Sequence, residues 1–153
     1  MKTCIKSLIV ALLIAALLPI NTLAATDTQK DPNTIYLDNG SYITVELSSI
    51  ESRASGTKTG SKTYTYRGND GAEEWRAVLK GTFTYTGSSA TCTSVSCNVT
   101  ITDTAWYTVS KTTSKSGGSA LCELIMGRKF LGITIGKETV NMRITCDANG
   151  NLS

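Results

Sequence analysis

The chain has 153 residues, with 15 Lys and Arg against 12 Asp and Glu, and no histidine. Lacking histidine, it lacks the commonest general base and the commonest zinc ligand, and with them every triad built on Ser-His or Cys-His. Lys2 and Lys6 sit in a leader that reads as removable, so the mature cations fall from 15 to 13 against 12 acids, a net charge of +1. That balance is no footprint for nucleic acid or an acidic lipid surface, both of which call for clustered Lys and Arg.

Residues 1–24 carry the three parts of a secretory signal. Lys2 and Lys6 give the positive start, and Leu8 to Leu18 form an apolar run too short to cross a ~30 Å hydrocarbon core. Pro19 breaks the run, and small residues around Ala24 and Ala25 offer a cleavage point after Ala24. The expectation is a secreted, extracellular protein with no stable membrane anchor after cleavage. Cys4 leaves with the leader, while Cys92, Cys97, Cys122 and Cys146 remain. Cysteines in an exported chain read as a framework of structural disulfides, with more than one possible connectivity. Spacing favours Cys92 with Cys97, across a Thr-Ser-Val-Ser loop at the base of a hairpin, and Cys122 with Cys146, closing the last strands. The rival joins Cys92 to Cys146 and Cys97 to Cys122.

Residues 25–33 (ATDTQKDPN) read as a flexible polar lead-in, and 34–153 as a single domain. Tyr42 to Leu47 alternates after the turn signal Asp38-Asn39-Gly40. The Ser, Gly and Lys rich stretch 48–62 is expected to be the longest loop. Lys62 to Arg67 reads as a strand closed by Gly68-Asn69-Asp70-Gly71. From Trp75 to Tyr85 the alternation is clearest, with Trp75, Ala77, Leu79, Gly81, Phe83 and Tyr85 on one face and Arg76, Lys80, Thr82 and Thr84 on the other. Further strands are expected over Asn98–Thr102, with Val99 and Ile101 inward, then Trp106–Lys111, Ala120–Met126, Phe130–Ile135 and Thr139–Cys146, with a turn at Ser116-Gly117-Gly118-Ser119. No stretch has a helical apolar stripe. An all-β fold follows, an antiparallel β-sandwich of about eight short strands, with a small β-barrel as the alternative.

Four phrases, Ser55 to Tyr66 (SGTKTGSKTYTY), Gly81 to Cys92 (GTFTYTGSSATC), Ser110 to Gly117 (SKTTSKSG) and Thr145 to Ser153 (TCDANGNLS), resemble a group of small exported proteins of unknown function from Gram-positive gut bacteria of the clostridial type. The resemblance spans nearly the whole mature chain. It implies a bacterial source and a small all-β extracellular fold, and it carries no catalytic or binding residue across.

Chemistry is sparse. Asp147, Asn149 and Asn151 with Gly150 resemble the start of a calcium loop, but glycine falls at the fourth position rather than the sixth and no glutamate follows at the twelfth. A terminal turn is the better reading, and neither metal nor cofactor is expected. Glu73 and Glu74 are neighbours on a strand and should face opposite ways, which denies them the role of a carboxylate pair. Nothing pairs Asp103 with Glu46 or Glu123, and Ser110-Lys111 likewise face apart. The chain is therefore read as a non-enzyme. Flat amphipathic rings are the usual tools of glycan and peptide recognition. Trp75 belongs to the core, leaving Tyr64, Tyr66 and Trp106 as candidates for a stacking surface, against a competing reading in which they pack on the second sheet. The function expected is a non-catalytic binding module for an extracellular glycan or protein. The alternative is a structural, self-assembling secreted protein, with a hydrolase the least supported.

Overall fold

A computed structural model describes residues 33–51 and 56–153; the leader (1–24), the lead-in as far as residue 32, and residues 52–55 lie outside the described residues. Eight strands follow one another: β1 (Thr34–Tyr36), β2 (Tyr42–Glu51), β3 (Thr57–Arg67), β4 (Glu73–Tyr85), β5 (Ala90–Ile101), β6 (Trp106–Ser116), β7 (Ser119–Phe130) and β8 (Ile133–Thr145). The first five pair in chain order as one antiparallel meander and the last three as a second. This is the expected all-β sandwich, in which two inner faces bury each other.

The core comes from period-two alternation on both sheets. On β4, Trp75, Ala77, Leu79 and Phe83 are buried while Arg76 and Lys80 reach solvent. Facing them are Ala120, Cys122, Leu124 and Met126 of β7 and Val140, Met142 and Ile144 of β8. Gly81 is required by the close approach of the two sheets, since a Cβ there would lie 2.6 Å from the Phe83 ring and 2.8 Å from the Ala120 Cβ.

The sheets do not close into a barrel, and lysines explain how the seam is kept. β5 and β6 are edge strands of different sheets. Instead of a ladder between them, Lys111 Nζ donates to the Cys97 carbonyl at 2.8 Å and Lys115 Nζ to the Thr93 carbonyl at 3.0 Å. Two flexible cations thus satisfy edge acceptors that would otherwise invite another strand.

Several expectations are corrected. The supposed loop 48–62 is largely hairpin: β2 runs to Glu51 and β3 starts at Thr57, with Ser48 opposite Ser61 and Ser49 opposite Gly60. Hydroxyl pairing between Ser48 and Ser61 at 2.9 Å suits these residues to a ladder. The expected strand Phe130–Ile135 is instead the end of β7, a Leu131-Gly132 turn and the start of β8. Ile101 is 39% exposed rather than inward.

The favoured cysteine pairing fails on register. Cys92 and Cys97 belong to one strand, β5, with no hairpin between them. A bulge at Thr93 lies between the pairs Thr82–Ser94 and Phe83–Cys92. It shifts the alternation by one residue, so both cysteines face the core although an odd number of positions separates them. At about 3.3 Å per residue they stand well beyond the ~7 Å Cα limit of a bridge. Cys122 pairs with Met142, several positions from Cys146, and fails by the same measure. All four thiols are buried and unbridged. Cys97 of β5 and Cys122 of β7 instead meet across the sheets at 3.2 Å. The amides of Cys92 and Cys146 bond the consecutive carbonyls of Gly117 and Gly118, which places them on either side of the β6–β7 turn.

Candidate functional site

The three sequence-derived stacking candidates do not form a surface. Tyr64, Tyr66 and Trp106 are 6%, 2% and 5% exposed. Tyr66 stacks on Trp75 with centroids 5.2 Å apart and meets the edge of Trp106 at 5.0 Å. The cluster fills one end of the core, and the Tyr64 hydroxyl accepts from the Arg143 amide. Among the described residues the Trp75 indole nitrogen is the one buried side-chain polar atom without a partner.

The aromatic cluster is the floor of a polar groove. Asn39, Ser41, Tyr66, Gly68, Asn69, Asp70, Glu74 and Arg128 line a depression of about 340 Å³, continuous in its lining with a smaller one of about 170 Å³ that adds Trp106, Ile135, Gly136 and Glu138. Two turns legible in the sequence supply one wall. In the first, Gly40 takes φ 83° and Asn39 accepts from the Ser41 amide at 3.0 Å and from its hydroxyl. Ser41 Oγ and the Tyr66 hydroxyl then pair at 2.7 Å. In the second, the Gly71 amide bonds the Gly68 carbonyl and Asp70 accepts from the Ala72 amide at 3.0 Å.

Glu74 is the centre of the arrangement, and a bulge puts it there. The β3–β4 register passes from Tyr66–Trp75 to Arg67–Glu73, leaving Glu74 as the extra residue. Its carbonyl accepts the amides of Thr102 and Asp103, anchoring the crossover between the sheets. Its carboxylate accepts from Trp106 Nε1 at 2.6 Å and lies 3.9 Å from Arg128. The Arg128 guanidinium in turn sits 5.7 Å from the Trp106 ring centroid, a cation–π distance. Gly68 keeps the space open: a Cβ there would stand 2.6 Å from Glu74 Oε1 and 3.1 Å from Asp70 Oδ1.

Chemically, the groove offers amides, three carboxylates (Asp70, Glu74 and, in the smaller depression, Glu138), a guanidinium and hydroxyls, a mixed set of donors and acceptors. The expectation that Glu73 and Glu74 diverge holds in outcome, since Glu73 instead faces Arg76 at 3.8 Å. Asp70 and Glu74 share the larger depression, and both are occupied by structural hydrogen bonds, while Glu138 lines the smaller one. No group of three or more acidic or cysteine side chains fit for a metal occurs among the described residues. The Asp147 stretch is a turn, its carboxylate accepting from the Asn149 and Asn151 amides at 2.8 Å. No described helix is long and apolar enough to cross a membrane. Sequence reasoning marked the Asn39 and Asn69-Asp70 turns but missed Glu74 and Arg128 as their partners, because a bulge, not the alternation, aims Glu74. Comparison with protein family models, with curated proteins and with solved structures finds no match to this chain.

Proposed function

We propose that this is an exported, non-catalytic binding module, and that its ligand is a glycan seated in the groove between Asn39, Asn69, Asp70 and Arg128. The observation that carries the reading is the convergence of planar amide, carboxylate and guanidinium groups from two turns and two strands on one shallow depression. Such groups pair with neighbouring hydroxyls by two hydrogen bonds at a time. Catalysis is disfavoured because Asp70 and Glu74 already hold the Ala72 amide, the Trp106 indole and Arg128. Export rests on the leader. In an oxidising compartment, Cys97 with Cys122 and Cys92 with Cys146 would then be the disulfides.

A glycan array followed by calorimetry tests this. Exposed Asn69 is the position to alter, and Asn69→Ala should weaken binding about tenfold, the worth of two ordinary hydrogen bonds. A blank array, or binding indifferent to this change, refutes the groove as a glycan site. One observation favours the self-assembling alternative. β8 pairs with β7 on one side, and on the other the chain end covers it only at Thr145 and Cys146. Growth of solution mass with concentration would favour pairing along that edge.

A further inference from the structure

The β7–β8 hairpin is longer than the sandwich it belongs to. Along the inner face of β7, Leu124 and Met126 are buried under the opposite sheet and Arg128 stands at the rim. Beyond the rim the same face continues with Phe130, paired to Ile133, and no sheet lies opposite. Phe130, Leu131, Ile133 and Ile135 are 65%, 87%, 70% and 60% exposed, four large apolar side chains within six residues.

Folding alone does not account for this tip. Leu131 has φ 49° and Gly132 φ 80°, so a two-residue turn puts a leucine in the left-handed region, and Leu131 is the one non-glycine residue of positive φ among the described residues. Asn or Gly would suit that position without strain. A leucine there gains no burial within the chain.

The surroundings point to what covers it. Lys129 and Lys137 flank the tip, and no acidic side chain occurs from residue 129 to 137; Arg128 is engaged by Glu74, and Glu138 lies at the base, beside the groove. Lys129 Nζ lies 4.4 Å from the Tyr107 ring centroid, which holds this cation at the collar. The four side chains expose on the order of 500 Å², short of the ~800 Å² each partner gives to a stable pair of proteins. Adding a strand along the β8 edge would cover that edge and leave this face bare. From the turn to Ile135 is about 10 Å of strand, the depth of the headgroup and acyl boundary of a bilayer.

We infer that the β7–β8 tip docks on an anionic lipid surface, with Phe130, Leu131, Ile133 and Ile135 entering the acyl boundary and Lys129 and Lys137 meeting lipid phosphates. The inference does not rest on the glycan reading: Phe130, Leu131 and Ile133 lie outside the groove, and only Ile135 and Arg128 border both. It also revises what the net charge of the mature chain implied: the cations are few, but Lys129 and Lys137 flank the exposed apolar tip. The attachment is peripheral and reversible, as a short apolar tip with two flanking cations binds a bilayer weakly.

Co-sedimentation of the exported chain with phosphatidylcholine vesicles, with and without roughly 30 mol% phosphatidylglycerol, tests it. Binding is expected to the anionic vesicles and to fall in about 0.5 M salt. Leu131→Asn suits the turn better than leucine does, so a folding failure does not confound it, and together with Ile133→Thr it should lower apparent affinity at least about tenfold. Lys129→Gln with Lys137→Gln should lower it several-fold and flatten the salt dependence, with circular dichroism unchanged in each variant. Absence of binding to anionic vesicles overturns the inference, as does binding that these variants leave intact. A concentration-dependent dimer abolished by Leu131→Asn and Ile133→Thr would overturn it in favour of a second copy. Asn69→Ala should leave vesicle binding unchanged, which separates the tip from the groove.

Discussion

Cross-sheet disulfides are the most consequential expectation for stability. Cys97 and Cys122 lie 3.2 Å apart, so a bond of ~2.05 Å asks for about 1 Å of side-chain adjustment. Burial pushes the Cys122 thiol up to about 12, with Cys97 beside it adding to the rise, and burial also raises Cys92 and Cys146. Thiolate is the reactive form, so burial slows exchange at Cys92, Cys122 and Cys146 once the sheets have closed. In an exported chain, as proposed, each bridge would form most readily during folding, when two thiols lose two protons and two electrons to the disulfide of an extracytoplasmic thiol oxidant. Closing a loop of about 25 residues between Cys97 and Cys122 is worth ~3.5 kcal/mol, and one of about 54 residues between Cys92 and Cys146 ~4 kcal/mol. The first loop lies within the second, so their joint worth is less than the sum. Either is a large part of a domain stability of about 5–15 kcal/mol. Urea unfolding of exported protein against Cys97→Ala with Cys122→Ala should show a loss of about 3 kcal/mol, and reductant added to the unfolded wild type before refolding, which removes both bridges, should cost more. Non-reducing peptide mapping should link residue 97 to 122 and residue 92 to 146. A peptide linking residue 92 to 97, or four titratable thiols in protein purified without reductant, refutes the reasoning.

Other expectations follow from close contacts and buried groups. Gly81→Ala places a Cβ against the Phe83 ring and the Ala120 Cβ, and should cost about 1–3 kcal/mol in thermal or urea unfolding. Glu74→Ala removes the acceptor of the Trp106 indole and should cost about 1–3 kcal/mol, whereas Glu74→Gln, which keeps an oxygen there, should cost clearly less. Burial raises the Glu138 carboxyl above its ordinary range. A raised carboxylate pKa means the folded state holds its proton more tightly, so the penalty on folding is full above the folded pKa and gone below the unfolded one. Glu138→Gln should therefore raise the melting temperature near neutral pH and lose that advantage as pH falls below about 4.5. An equal gain at both pH values would contradict that assignment.

What the sequence disclosed follows the physics of one-sided burial. The run from Trp75 to Phe83 was legible because each inward side chain meets the opposite sheet, and a slip of one residue would turn Arg76 and Lys80 into the core. The Asn39 and Asp70 turns were legible because glycines of positive φ stand at 40 and 71. Alternation loses its meaning where a strand carries an extra residue, and three such places lie where the chemistry is. At Thr93 the bulge turns both β5 cysteines inward and undoes the hairpin pairing. At Glu74 it supplies the groove with its central carboxylate. Past Arg128 it leaves Ile135 unpaired at the base of the overhanging tip. A bulge costs only a local break in the ladder, and no residue type in a lone sequence is obliged to mark it. The Leu131 turn was hidden for the opposite reason: a leucine argues against a left-handed turn, so Phe130 to Ile135 reads as one apolar strand. If the tip docks on lipid as proposed, net charge is too coarse a guide to it. It averages Lys129 and Lys137 with acids that, apart from neighbouring Glu138, are distributed over the rest of the chain, whereas a charged surface acts over a screening length of about 8–10 Å, and only the fold decides which charges share that distance.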